Sequence, residues 1–232
     1  MKRSPFFGVK TLAVEDDVLN FQYSNLPVEY FTSLDIKTIY ADLKLITRVG
    51  SEHVIVAFAE LSEGLTIQIV EEKDEPGIFL RVAGVLYSHG IDILKAAIFT
   101  GKKDTMVIDH FVVHPQTDRK LLDRVCGDIK TALIHKTYFQ PELRKADKTG
   151  LCVSCFQSGA EGALKIEAKN QTGFLYRVAK VLADLNLSLI DADIKTQEDN
   201  IIDTFRILTP ERKMPTLDKL KELREAVLKT FE

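Results

Sequence analysis

Two short segments have the residue types and order to hold a small charged molecule. Asp74-Glu75-Pro76-Gly77-Ile78 and Asn170-Gln171-Thr172-Gly173-Phe174 each put a glycine where a polar loop runs into an apolar-periodic stretch. A helix beginning there presents N–H groups with no partner inside it, together with the positive end of its dipole. That combination suits the carboxylate of an amino acid. Asp74 or Asn170 can accept from an α-ammonium group, and Gly77 and Gly173 let the backbone come close. The same order of residues is also an ordinary way to enter a helix.

Other reactive side chains point to less. Cys152 and Cys155 form a Cys-x-x-Cys with no second pair for zinc, and residues three apart on a strand face opposite sides. His53, His89, His110, His114 and His135 have no metal-ligand spacing. They read as surface or structural histidines. Arg81 and Arg177 read as solvated or packed helix residues rather than anion ligands, and Asp109 and Asp203 as polar contacts to a neighbouring loop, with a ligand role as the alternative. No catalytic or metal-binding residue and no cofactor is expected.

The elements that position the two loops come from a duplication. Gly77, Arg81, Val82, Ala83, Val85, Leu86, Ala96, Ile98 and Thr100 recur at Gly173, Arg177, Val178, Ala179, Val181, Leu182, Ala192, Ile194 and Thr196, a constant offset of 96. In the first copy Leu65–Val70 alternates as a strand, Ile78–His89 has helical spacing and Gly90 ends it. Ile91–Thr100 and Thr105–His114 read as strands joined by a turn at Gly101-Lys102-Lys103-Asp104. Asp118–Ile134 is a second helix. The second copy repeats this order and ends on a helix over Thr216–Phe231.

A ferredoxin-like β-α-β-β-α-β unit needs a fourth strand. His53–Phe58 and Leu151–Phe156 precede the two copies and fit hairpins with the first repeat strand. The expected fold class is therefore α+β: two ferredoxin-like units with antiparallel sheets, each permuted as β-β-α-β-β-α. The other arrangement has Leu151–Phe156 closing the first unit and Val54–Phe58 closing the second. The expected organisation is an N-terminal segment with one helix over 1–52, unit 1 over 53–136, a charged linker over 137–149 and unit 2 over 150–232. Within the N-terminal segment Asp35–Arg48 is the helix, with Ser33 as a candidate N-cap. Its Ile36, Ile39, Tyr40, Leu43 and Ile46 would dock on a sheet. Phe6-Phe7 and Phe21-x-Tyr23 could pack or reach a partner subunit.

The chain has 232 residues, 45% of them hydrophobic and 28% charged, and a net charge of -3. That is ordinary globular composition. It argues against a dedicated nucleic-acid binder, which carries a basic stripe. No apolar run approaches the ~18 residues of a membrane span. Met1-Lys2-Arg3-Ser4-Pro5 has no apolar stretch behind it, so no signal peptide is expected. Three cysteines fit a reducing compartment, and a cytoplasmic protein is expected.

Asp74-Glu75-Pro76-Gly77-Ile78-Phe79-Leu80-Arg81-Val82-Ala83 resembles the D-x-P-G-L-(L/F)-x-(R/K)-(I/V)-A signature of ACT domains, the ferredoxin-like regulatory modules of amino-acid metabolism. Asp109-x-Phe111-Val112-Val113 and Asp203-x-Phe205 resemble one subgroup, the tandem ACT pair at the C-terminus of bifunctional PII uridylyltransferase/uridylyl-removing enzymes. Leu26-Pro27-Val28-Glu29-Tyr30-Phe31 is similar to the segment before that pair. The nucleotidyltransferase signature of those enzymes is not matched, because Gly50-Ser51 has no paired aspartates after it. Asp191-Ala192-Asp193 in turn lacks a preceding Gly-Ser. Asp109-His110 reverses the order used by HD phosphohydrolases.

The resemblance implies a ligand site at each loop, between two modules. One would use Asp74, Glu75, Pro76, Gly77 and Ile78, the other Asn170, Gln171, Thr172, Gly173 and Phe174. Main chain near Ile93-Leu94 and Leu189-Ile190 would complete the pockets. The leading expectation is a non-catalytic regulatory protein of nitrogen metabolism that binds an amino acid. The alternatives are a regulatory subunit or relative of a PII uridylyltransferase, and a purely structural ACT pairing module. Expected partners are the amino-acid ligand, a second copy through the ACT sheets, or a partner enzyme. Neither nucleic acid nor membrane is expected.

Overall fold

The computed structural model describes residues 25–232 apart from 74–76, 102–105, 116–117, 144 and 198. The candidate ligand residues Asp74, Glu75 and Pro76, the phenylalanines near the N-terminus, most of the 101–104 turn and Arg144 lie outside the described residues.

Unit 1 begins with a hairpin, β1 (Val54–Leu61) and β2 (Gly64–Glu71), followed by α3 (Ile78–Ser88), β3 (Ile93–Thr100), β4 (Val107–Val113) and α4 (Arg119–Ile134). Its sheet order is β1-β2-β4-β3, antiparallel throughout. Unit 2 repeats this with β5 (Cys152–Ser158), β6 (Glu161–Lys169), α5 (Phe174–Asp184), β7 (Ser188–Asp193), a two-residue β8 (Thr196–Gln197), β9 (Asn200–Leu208) and α6 (Leu217–Thr230). Its order is β5-β6-β9-β7, with β8 paired to β9. Both are ferredoxin-like sheets whose fourth strand comes first in sequence. Cys152 pairs with Glu167 and Phe156 with Ala163, so Leu151–Phe156 does not close unit 1.

Alternation sets the faces. Leu65, Ile67 and Ile69 of β2, and Leu164 and Ile166 of β6, turn toward the helices and are buried in one continuous core. That core runs through both units: Phe79 of α3 stacks on Phe111 at 6.1 Å and tilts against Phe205 of β9 at 6.4 Å. The two sheets approach each other along β3 and β7, and α3 approaches α5. Phe139, Leu143 and Ala146 of the linker pack on the same core, so the linker is a strap and not a solvated tether.

Among the described residues the N-terminal part has two helices where one was expected: α1 (Val28–Ser33) and α2 (Ile36–Glu52). Ser33 is not the cap. Its hydroxyl donates back to Glu29 O at 2.6 Å, whereas the Asp35 carboxylate accepts from Lys37 N at 2.8 Å and Thr38 N at 3.2 Å. Asp35 thus satisfies two of the orphan donors. Ile39, Leu43, Ile46 and Val49 recur at 3–4 residue spacing and bury against Ile55, Val70, Phe99 and Ile108. Ile36, expected on that face, is 48% exposed in the first turn.

Candidate ligand-binding clefts

Gly77 and Gly173 are the N-caps of α3 and α5, with φ 90° and 81°. This left-handed geometry favours glycine. Among the described residues neither helix has a side-chain cap. By contrast Asp35, Asp118 and Thr216 cap α2, α4 and α6 through their side chains. Both uncapped glycine entries border clefts between the units. The Asp35-capped entry of α2 borders a separate cleft of about 150 Å³ within unit 1 and the N-terminal helices.

Cleft 1, about 40 Å³, is lined by Gly77, Ile78 and Asp109 of unit 1 and by Leu187, Ser188 and Leu189 of unit 2. Cleft 2, about 30 Å³, is lined by Asn170, Gln171, Gly173, Phe174 and Asp203 of unit 2 and by Tyr87, Asp92 and Ile93 of unit 1. Each glycine entry therefore faces the strand start of the other unit. The structure brings Gly77 and Ile78 to Leu189, and Asn170, Gln171, Gly173 and Phe174 to Ile93. Thr172, Leu94 and Ile190 are not among the described residues lining either cleft.

Leu94 and Ile190 do have a structural part in this. The register of β3 against β4 slips between Ile93 and Lys95, and that of β7 against β9 slips between Leu189 and Asp191. The skipped residues, Leu94 and Ile190, are equivalent bulges. A bulge interrupts the ladder and bends the strand, and such features cluster beside functional sites.

Aromatic rings crowd both glycines. A Cβ at Gly173 would come within 2.8 Å of the Tyr87 ring, and one at Gly77 within 2.6 Å of the Tyr138 hydroxyl. Tyr87 stacks on Tyr176 at 5.9 Å and donates to Glu142 O at 3.2 Å, so unit 1 and the linker jointly cover the α5 entry. Gln171 is spent on the linker. Its Oε1 accepts from Asp147 N at 2.9 Å, and its Nε2 donates to Asp147 O at 2.8 Å. The Phe174 side chain is in the core against Phe231 at 5.0 Å, and its N–H donates to Gln171 O at 3.1 Å, so position 174 is spent on the fold.

Asp203 is 1% exposed. Its Oδ1 accepts from Lys195 N at 3.2 Å, the loop contact expected from sequence. Burial pushes its carboxyl up to about 7; the Lys195 N–H opposes this and the Asp193 charge adds to it. Arg81 and Arg177 are packed rather than solvated. Arg177 Nη1 donates to Thr230 O at 2.9 Å, and the Arg81 guanidinium lies 5.2 Å from the centre of the Tyr138 ring. Cys152 is exposed and Cys155 is half-buried, with burial pushing the Cys155 thiol up to about 11. A thiol so protonated at neutral pH is a poor nucleophile or metal ligand. No cluster of three or more metal-ligating side chains occurs among the described residues.

Residues 162–225, covering most of unit 2, match the ACT domain family. Over these residues unit 2 is similar to an ACT domain. Unit 1 has the same strand order, bulge and left-handed glycine entry as unit 2. The chain is 27% identical over 162 residues to the bifunctional uridylyltransferase/uridylyl-removing enzyme of Novosphingobium aromaticivorans, covering 63% of this chain and 18% of that one. It is 27% identical over 223 residues to the enzyme of the same name from Pasteurella multocida, covering 88% and 26%. It spans about a quarter or less of the length of these relatives. The regulatory subunit of aspartate kinase from Thermus thermophilus, in its ligand-free form, aligns at 15% identity and a TM-score of 0.24 over 78% of this chain and 99% of that one.

Proposed function

We propose that this chain is a non-catalytic regulatory ACT pair that binds a small amino acid at the interface of its two units. The observation that carries this reading is the crosswise construction of the clefts. In each, an uncapped helix entry at a left-handed glycine faces the bulged strand start of the other unit. The helix entry supplies N–H donors and positive dipole for a carboxylate. The small clefts favour ligands at the glycine end of the amino-acid series, since a water molecule alone needs roughly 10–15 Å³.

A ligand touching both units biases how they sit together. Coupling of ~1–3 kcal/mol is enough to change partner affinity ~5–150-fold. The effect would be read as altered assembly with a second copy or with a partner enzyme. No helix among the described residues is long and apolar enough to cross a membrane, and a cytoplasmic setting fits that. The uridylyltransferase/uridylyl-removing relatives support a second reading, in which the chain serves as the regulatory part of such an activity. Co-purification with a chain bearing nucleotidyltransferase motifs would favour it.

The test is calorimetry and thermal shift against the twenty amino acids, glycine and glutamine first. At 100-fold excess over Kd the fold gains about 2.7 kcal/mol, a rise of ~5–10 °C. Absence of any binder at millimolar concentration removes the proposal.

A further inference from the structure

The two clefts match in construction and differ in charge, and one carboxylate in cleft 2 has an unused oxygen. Asp203 lines cleft 2, and its Oδ2 is buried without a hydrogen bond among the described residues. A buried carboxylate oxygen left in that state is costly. Asp92 of unit 1 lines the same cleft, where cleft 1 has Ser188 at the equivalent position. The uncapped entry of α5 at Gly173 lines this cleft too.

We propose that Asp203 Oδ2 is the anchor for the ammonium group of the ligand in cleft 2, with the ligand carboxylate at the α5 entry. This rests on the reading of the clefts as amino-acid sites and adds a residue that neither glycine loop contains. The ligand's N–H donor completes the hydrogen bonding of Oδ2, and its positive charge offsets the negative charge of Asp203 and Asp92. Cleft 2 thereby requires an amine and rejects an isosteric hydroxy acid.

The reaction with solvent protons balances simply. In the empty cleft Asp203 is partly protonated near neutral pH, because burial disfavours its charge. Docking of an ammonium ionises the carboxyl, and the proton goes to the buffer. The groups around Asp203 are Asp193 on β7, Lys195 beyond it, Asp92 and Tyr87 from unit 1, and Tyr176 on α5. The Lys195 ammonium is held by Asp193 at 2.5 Å, so the ammonium of a ligand can reach Oδ2 without competing for it.

The experiment is calorimetry of glycine and of glycolate, its α-hydroxy analogue, with the full chain at pH 7 in two buffers of different ionisation enthalpy. The expected result is roughly half a proton released per glycine bound in cleft 2, as a group with a pKa near the working pH requires. Glycolate should bind at least tenfold more weakly. Asp203→Asn should lose the proton release and at least tenfold in glycine affinity. The wild-type buffer dependence stands even where that variant fails to fold. Glycine binding with no proton release and equal glycolate affinity overturns the ammonium anchor and leaves the amino-acid reading intact. Failure of all twenty amino acids to bind overturns both.

Discussion

The two sheets share a strand order but treat their outer faces in opposite ways. In unit 1 that face is roofed by α1 and α2, and a polar network is sealed beneath them. Asp42, fully buried on α2, accepts from Tyr30 Oη at 2.7 Å, Gln68 Nε2 at 2.6 Å and His110 Nε2 at 2.8 Å. Burial, with the Asp42 carboxylate beside it, raises the Tyr30 hydroxyl well above its ordinary pKa. In unit 2 the positions matching Gln68 and His110 are Lys165 and Thr204, paired across the sheet in the same way. There Lys165 meets Glu167 at 2.7 Å and Arg206 meets Asp191 at 2.8 Å, with all four side chains partly exposed. One fold thus tolerates either solution, provided that polar groups are satisfied by protein where covered and by water where bare.

The strongest way to break this comparison is Asp42→Ala. It strands a hydroxyl, an amide and an imidazole in a closed space, each costing about 1–3 kcal/mol when unpaired. A loss of about 3 kcal/mol or more is expected, seen as a fall in Tm of at least ~6 °C. A smaller fall would mean that water enters beneath α2.

Asp203→Asn acts in the other direction on the unliganded protein. The Asp203 pKa is raised from 3.8 to about 7 in the fold, so the group's favourable contribution is present below pH ~4 and lost as pH rises through about 7. The asparagine variant should therefore be more stable than wild type at pH 8, on the order of 1–3 kcal/mol, and equal to it at pH 4. Denaturant unfolding at the two pH values measures this, and equal stability at both would remove the buried-carboxyl account.

Gly173→Ala meets both a positive φ and the Tyr87 ring at 2.8 Å, whereas Gly90→Ala meets only φ 69° with nothing within 4 Å. The first should cost about 2 kcal/mol and weaken binding in cleft 2, while the second should cost about 1 and leave binding alone. Equal losses would show that Tyr87 moves freely. The smallest effect is expected at Lys165→Ala, whose ion pair is exposed to water, with a Tm change within about 2 °C.

Much of this was legible in the sequence. The duplication showed two units, and Leu151–Phe156 read as a hairpin with the following strand because a short Gly-containing loop joins them. The glycine entries were legible because loop, glycine and apolar periodicity adjoin in sequence. The crosswise pairing of each loop with the opposite unit was not, since contacts between Gly173 and Tyr87 depend on tertiary packing. The bulges at Leu94 and Ile190 leave no mark in an apolar strand pattern. Asp42 was hidden as well: a carboxylate on an apolar helix face looks like a break in periodicity until Tyr30, Gln68 and His110 arrive from three other elements. Asp203 was visible as a repeat of Asp109, but its unused oxygen lies in a cleft that exists only once the units meet.

Joining the two units in one chain has a consequence for how the sites can change. Two separate copies of a single unit would form twin clefts, and any substitution would appear in both. Here each cleft draws its walls from different positions of one polypeptide, so a mutation at Asp92 leaves its counterpart Ser188 untouched. Fusion breaks the symmetry that a dimer must keep. It allows the walls of one cleft to change while those of the other stay as they are.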